Sequence, residues 1–158
     1  MKGAIMLSNF SYPVICTRNY AQTVNFYEDH FGFAPEFEMP DFSILKRSDS
    51  ENDYIAIIDE NHEVIPKQYH RSIKGMILHF PVKDVNVAYQ QFYWEGLNII
   101  TEPGQSPNIG LKHFFVGDPN GILISVAEAM DTAKFDEHFL HDLASNKRKK
   151  RKTCAGCV

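Results

Sequence analysis

Apolar and polar residues alternate in short runs along most of the chain, and twice the pattern gives way to apolar positions at helical spacing. Residues 10–17 read as a strand. From Tyr20 to Phe31, Ala21, Val24, Tyr27 and Phe31 recur on one helical face, and Gly32 is placed to stop the helix. Residues 33–40, 41–47 and 54–59 alternate as strands, with the polar stretch 49–53 as the turn between the last two. Residues 61–72, polar and containing Pro66, predict a connector. The order then recurs: a strand at 75–82, a helix at 85–95 stopped by Gly96, and strands at 97–102, 111–116 and 122–128. Loops are predicted at 103–108 and 117–121.

The recurrence has a period. A shift of 65 residues sets Tyr12 on Ile77, Asn19 on Asp84 and Tyr27 on Phe92, while Gly32 and Gly96 match at a shift of 64. Few letters coincide, so the repeat is one of pattern. It predicts an α+β fold of two tandem βαβββ modules, about 10–60 and 75–128, within one domain over 8–130. Residues 131–146 predict an appended helix through Ala133, Phe135, Phe139, Leu140 and Leu143. Residues 147–158 have no apolar face to bury and predict a disordered basic tail.

Charge changes the functional picture. Residues 1–146 hold 10 basic and 20 acidic side chains, net −10, whereas the last twelve residues carry +6 in the run Lys147-Arg-Lys-Lys-Arg-Lys152. A body this acidic disfavours nucleic acid as the partner of the main domain, because phosphate contacts need clustered positive charge, and it favours a neutral or cationic ligand. The 158 residues contain no apolar run long enough to cross a bilayer and no long apolar segment near Met1 of the kind a secretory signal needs. With three Cys in that setting, reduced thiols and a cytoplasmic location are expected.

Two stretches resemble a known family. Asn19-Tyr-Ala-Gln-Thr-Val-Asn-Phe-Tyr27 followed by Phe31-Gly-Phe33 is similar to the first helix signature of the vicinal oxygen chelate superfamily, which includes glyoxalase I, extradiol dioxygenases, fosfomycin-modifying enzymes and bleomycin-resistance proteins. Gly110-Leu-Lys-His-Phe-Phe-Val-Gly-Asp-Pro-Asn-Gly121 resembles its G-x-R-x-F-x-x-x-D-P-x-G hairpin, with Lys112 where Arg is usual; Pro103-Gly104 and Glu128 also fit. The Asp-Pro-Asn-Gly turn has a structural reading of its own. Pro119 sets φ, Asn120 tolerates and Gly121 readily adopts left-handed backbone, and Asp118 can accept N–H bonds across the turn.

The resemblance implies that the two modules form a curved mixed sheet around a cavity, with metal ligands on four inner strands, and those places fall on Tyr12, Ala56, Ile77 and Ser125. Ala and Ile have no donor, and no carboxylate or imidazole is among the four. No metal and no other cofactor is therefore expected, which puts the superfamily's metal chemistry in doubt here. By strand alternation the inner positions are Tyr12, Val14 and Cys16; Tyr54, Ala56 and Ile58; Ile77, His79 and Pro81; Leu123, Ser125 and Ala127. They predict an apolar, aromatic pocket with a hydroxyl or two and one His.

His79 reads as a ligand donor or general base, or as a half-buried strand His with a backbone partner. His113, on the hairpin strand of opposite register, is placed at the cavity mouth, and a His79/His113 metal pair lacks a nearby carboxylate. Cys16 beside Arg18 reads as a buried structural Cys before it reads as a nucleophile. The candidate ligand-binding set is Tyr12, Cys16, Tyr54, His79, His113 and Ser125; no catalytic residue is assigned.

His138-x-x-His141 has i,i+3 spacing but too few ligands for zinc, and reads as a solvated face. In the tail, Cys154-Ala-Gly-Cys157 is out of register for a prenylation box, whose Cys would fall on Ala155, and is too short for a zinc site. A solvated tail is expected, with electrostatic contact to anionic surfaces as its alternative use. The leading expectation is a metal-free small-molecule-binding protein of the bleomycin-resistance type, acting as a homodimer and sequestering an organic ligand, cationic by the charge argument. The alternatives are a lyase or dioxygenase with displaced metal ligands, and an interaction protein working through the basic tail.

Overall fold

The structure, a computed structural model, describes residues 11–107 and 109–130. The expected C-terminal helix and basic tail, with His138, His141, Cys154 and Cys157, lie outside the described residues. The first module runs β1 (Val14–Thr17), α1 (Tyr20–Phe31), β2 (Phe33–Glu38), β3 (Phe42–Arg47) and β4 (Tyr54–Asp59). The second runs β5 (Ile77–Pro81), α2 (Val85–Trp94), β6 (Asn98–Ile99), β7 (Gly104–Ser106), β8 (Leu111–Gly117) and β9 (Leu123–Ala129).

The sheets repeat one topology, β1-β4-β3-β2 and β5-β9-β8-β6, with β7 added to β8. In each, the first strand pairs in parallel with the last, as a helical crossover requires. The registers match the repeat residue for residue. Val14 faces Ala56 in one sheet, and its counterpart His79 faces Ser125 in the other. The expected α+β class and tandem βαβββ modules are what the structure has.

Helix α1 ends where the sequence says it should: Gly32 takes φ +68° and donates its N–H to the Tyr27 carbonyl. Helix α2 starts on Asp84, whose side chain accepts the N–H groups of Asn86 and Val87. Glu128 Oε2 accepts the Val85 N–H at 3.0 Å, tying β9 to the same helix start. The helices cover one face of the sheets. Ile15, Leu45, Ile57, Phe114, Val116 and Ile124 on that face are fully buried. Phe31 of α1 meets Phe80 of β5 at 4.7 Å and Phe92 of α2 at 5.4 Å, so the two modules share one core.

The Asp-Pro-Asn-Gly turn does more than join β8 to β9. Asp118 Oδ1 accepts the N–H groups of Asn120 and Ile122 at 2.8 and 2.7 Å, and Gly121 takes the expected positive φ, +80°. Asn120 keeps negative φ, leaving the left-handed position to Gly121, and spends its side chain on the other module. Its amide oxygen accepts the Thr17 hydroxyl and its Nδ2 donates to Thr23 Oγ1 at 3.0 Å. Tyr27 OH donates to Asp118 Oδ2 at 3.2 Å. Thr17, Thr23 and Tyr27 are fully buried, so the turn is an inter-module staple. A second tie joins His30 Nδ1 of α1 to Glu95 Oε2 at the end of α2, 2.7 Å apart and partly exposed.

Several expected boundaries shift. The first strand begins at Val14, because Pro13 supplies no N–H to the ladder and uses its carbonyl to accept the Ala56 N–H. The predicted strand 97–102 shrinks to Asn98–Ile99. The predicted loop 103–108 contains β7, whose Gly104-Gln-Ser106 pairs with His113, Lys112 and Leu111. The connector holds a short 3-10 turn, Lys67–Tyr69, just after Pro66.

Candidate functional site

Opposite the helices, the sheets leave a second face. Side chains directly across a ladder share a face, so the pairings place Val14, Ala56 and Ile44 in one row, Cys16, Ile58 and Phe42 in the next, and Tyr54 beside Lys46. On the second sheet one row is His79, Ser125 and Phe115, and the next is Pro81, Ala127 and His113. The inner positions deduced from alternation therefore do lie on one face of each sheet.

That face is open in the single chain. Ala56, Ile58 and Ala127 are buried, but Val14 is 47% and Ile77 59% exposed, and Tyr12 and His79 are exposed too. The reason is layering: helices cover the other face, and among the described residues no helix covers this one.

Two candidates from different modules meet at a cavity of about 330 Å³ between the sheets, with Tyr54 on one side and His79 on the other. Pro13, Arg47, Asp53 and Pro81 also line it, as do the aromatic rings of Phe33 and Phe80. Tyr12 and Tyr54 approach with ring centroids 6.2 Å apart, and Lys46 Nζ sits 5.6 Å from the Tyr54 ring centre. His79 Nδ1 and Ser125 Oγ are 3.3 Å apart, which fixes the ring against the sheet. Tyr12, Tyr54, His79 and Ser125 thus form one neighbourhood with aromatic walls and a hydroxyl-backed imidazole.

The remaining two candidates fall elsewhere. His113 does not have opposite register: it shares the open face with Ala127, because a residue takes the face of its direct antiparallel partner. Its Nε2 lies 2.8 Å from Ser106 Oγ on β7, while its buried Nδ1 has no hydrogen-bond partner among the described residues. Strand β9 separates it from His79, so the two do not form a metal pair. Cys16 lines a different cavity at the far end of β1. Burial is the main reason its thiol pKa lies above 9.0; a backbone hydrogen bond from Arg71 lowers it, and Glu60 and Asp59 add to the rise.

A further cavity of about 350 Å³ opens on the helix side, bounded by Phe31, Phe80 and Phe92. Of its polar groups, Arg47 pairs with Asp49, His30 with Glu95, and Gln91 Nε2 donates to Glu95. Phe115, Ser106 and Arg47 were not among the sequence-derived candidates. Phe115 follows from alternation once the hairpin register is known, whereas Arg47 reaches its cavity only through the packing of one module on the other.

The places where the resembled family holds metal do not fit one here. Tyr12, Ala56, Ile77 and Ser125 supply at most two hydroxyls, and no group of three or more His, Cys, Asp or Glu converges among the described residues.

A family model of the glyoxalase/bleomycin resistance protein/dioxygenase superfamily matches residues 9–126. The chain belongs to this superfamily. Solved structures agree in fold. An integron cassette protein from the mobile metagenome of V. cholerae is 22% identical with a TM-score of 0.62, covering 80% of this chain and 98% of that one. A superfamily protein from Nocardioides is 13% identical (TM-score 0.63, covering 85% and 91%). A lactoylglutathione lyase from Agrobacterium tumefaciens is 17% identical (TM-score 0.59, covering 78% and 96%). At these identities the likeness is one of fold, which superfamily members put to different uses. A search of curated proteins gave no match. No helix among the described residues is long and apolar enough to cross a membrane.

Proposed function

We propose that this superfamily member is a metal-free small-molecule-binding protein that holds an organic ligand on the open face of its sheets, between Tyr54 and His79. The observation that carries the reading is the cavity between the modules. Tyr54 and His79 line it from different modules, Tyr12 packs against the Tyr54 ring, Ser125 backs the His79 ring, and the superfamily's four ligand places hold side chains that cannot assemble a metal site. Aromatic faces supply apolar contact, and the imidazole and Tyr hydroxyls supply direction. The body's charge draws cations towards the protein, yet no inner position of β1, β3, β4, β5, β8 or β9 is Asp or Glu. Recognition on the strands therefore rests on stacking and hydrogen bonds, and the charged groups at the cavity are Asp53 and Arg47. Among the described residues the hydrogen-bond partner of His79 is Ser125, not a carboxylate or a second base, which favours binding over a lyase or dioxygenase reaction.

The open face also argues for a homodimer. Tyr12, Val14, Phe37 and Ile77 leave an apolar surface of the kind monomers avoid, and a second copy would both cover it and enclose the ligand. Native mass spectrometry of the purified protein tests both parts. The expected species is two chains carrying a co-purified organic molecule, with its occupancy reduced by Tyr54→Ala while the melting temperature holds. Unchanged occupancy in the variant would move the site elsewhere, and a single chain would remove the dimer.

A further inference from the structure

A cavity larger than the one between Tyr54 and His79 lies at the other end of β1, and its lining differs in kind. About 650 Å³ is enclosed by Cys16, Arg18, Tyr69, Arg71, Ser72, Ile73 and Lys74. The connector builds this wall by returning against the strand end. The Ile73 N–H donates to the Cys16 carbonyl at 2.9 Å, and the Glu60 N–H donates to the Thr17 carbonyl. Ser72 Oγ accepts the Arg18 N–H at 3.2 Å and donates to Glu60 Oε2 at 2.9 Å, which pins the connector between Arg71 and Lys74.

The charge here runs against the rest of the body. Three of the eight Lys and Arg within the described residues face this one cavity, and no Asp or Glu lines it. Glu60, largely buried behind the wall, is 3.5 Å from Arg18 and offsets that one cation. Arg71 and Lys74 make no ion pair with any described residue. In a protein with a net charge of −10 over residues 1–146, cations gathered without carboxylates are free to meet an external anion. A planar guanidinium and a mobile ammonium suit a phosphate or carboxylate, and Tyr69, Ile73 and the Cys16 thiol give an apolar surface beside them.

We infer that this cavity is a second binding site, for a small organic anion whose phosphate or carboxylate sits on Arg71 and Lys74 and whose apolar part lies against Tyr69, Ile73 and Cys16. The site is independent of the one between Tyr54 and His79, with which it shares no lining residue.

Cys16 is a built-in reporter. Full-length protein carrying Cys154→Ser and Cys157→Ser has Cys16 as its only thiol, and alkylation by iodoacetamide is followed by intact mass at about pH 9, since burial holds the thiol above its ordinary range. Phenyl phosphate and benzoate are the probes, with inorganic phosphate and benzylamine as comparisons. Phenyl phosphate or benzoate at several times its Kd should slow alkylation about fivefold, following 1 + [L]/Kd, and the stronger of the two identifies the acidic group. Arg71→Gln with Lys74→Gln should abolish the protection, and Tyr54→Ala should leave it intact, so the two sites fail separately. Both cations are exposed, so the double variant is expected to fold, and an unchanged melting temperature checks this. No protection by either organic probe, equal protection by benzylamine, or protection that survives the double variant would overturn the site. Equal protection by inorganic phosphate would overturn its organic part.

Discussion

Tyr27 is the residue on which sequence and structure differ most instructively. Helical spacing marks it as core, and it is fully buried, but its hydroxyl also reaches Asp118 across the module boundary. Burial foremost, and the Asp118 carboxylate after it, push the Tyr27 pKa well above its usual value of 10.0. A raised pKa means that the folded state keeps the proton while the unfolded state loses it. The resulting stability is fully present below about pH 10 and is lost as pH rises beyond that. Tyr27→Phe should cost about 1–2 kcal/mol at neutral pH, the worth of a hydrogen bond to a charged group. Its deficit against the parent should narrow as melting is followed from pH 8 to above 10; a constant deficit would mean that Tyr27 is not linked to pH. Residues whose roles are local were legible from the sequence, such as Gly32 at the end of α1 and the open-face places of Tyr12, Tyr54, His79 and Ser125. Asn120 was not, because a turn residue's letter carries no information about a partner 97 or 103 residues away.

At the scale of elements, strands and helices with strong periodicity and a glycine stop were predicted to within a residue or two. Helix α1, strand β4 and the hairpin of β8 and β9 are examples. β7 was missed because Gly104-Gln-Ser106 has no alternating apolar face; it is a strand only because β8 offers its edge. The turn between β8 and β9 was read as a connector and proves to be the fastening between modules. Asn120→Ala would leave the buried hydroxyls of Thr17 and Thr23 short of a partner, at a cost of about 1–3 kcal/mol. A double-mutant cycle of Asn120→Ala with Thr23→Ala, read by chemical denaturation, should give a coupling of at least about 0.5 kcal/mol. Additive losses would show that the turn does not hold the two modules together. The His30–Glu95 tie, partly exposed, is expected to contribute less than this network.

For the whole molecule, the repeat and the hairpin motif carried the fold, and the family match over residues 9–126 agrees with it. The use of the fold was harder to read, since it depends on which side chains the two modules bring together across their junction. Alternation placed the inner residues on one face, but it could not show that Cys16 belongs to another cavity or that Arg71 and Lys74 gather beside it. The central claim is that this copy of the fold binds its ligand without a metal, because Tyr12, Ala56, Ile77 and Ser125 stand at the ligand places. The most direct measurement is the divalent metal content of full-length protein after mild dialysis, by elemental analysis. The account predicts well under one ion per chain; a full equivalent of Zn, Ni, Fe or Mn, released only by a strong chelator, would contradict it.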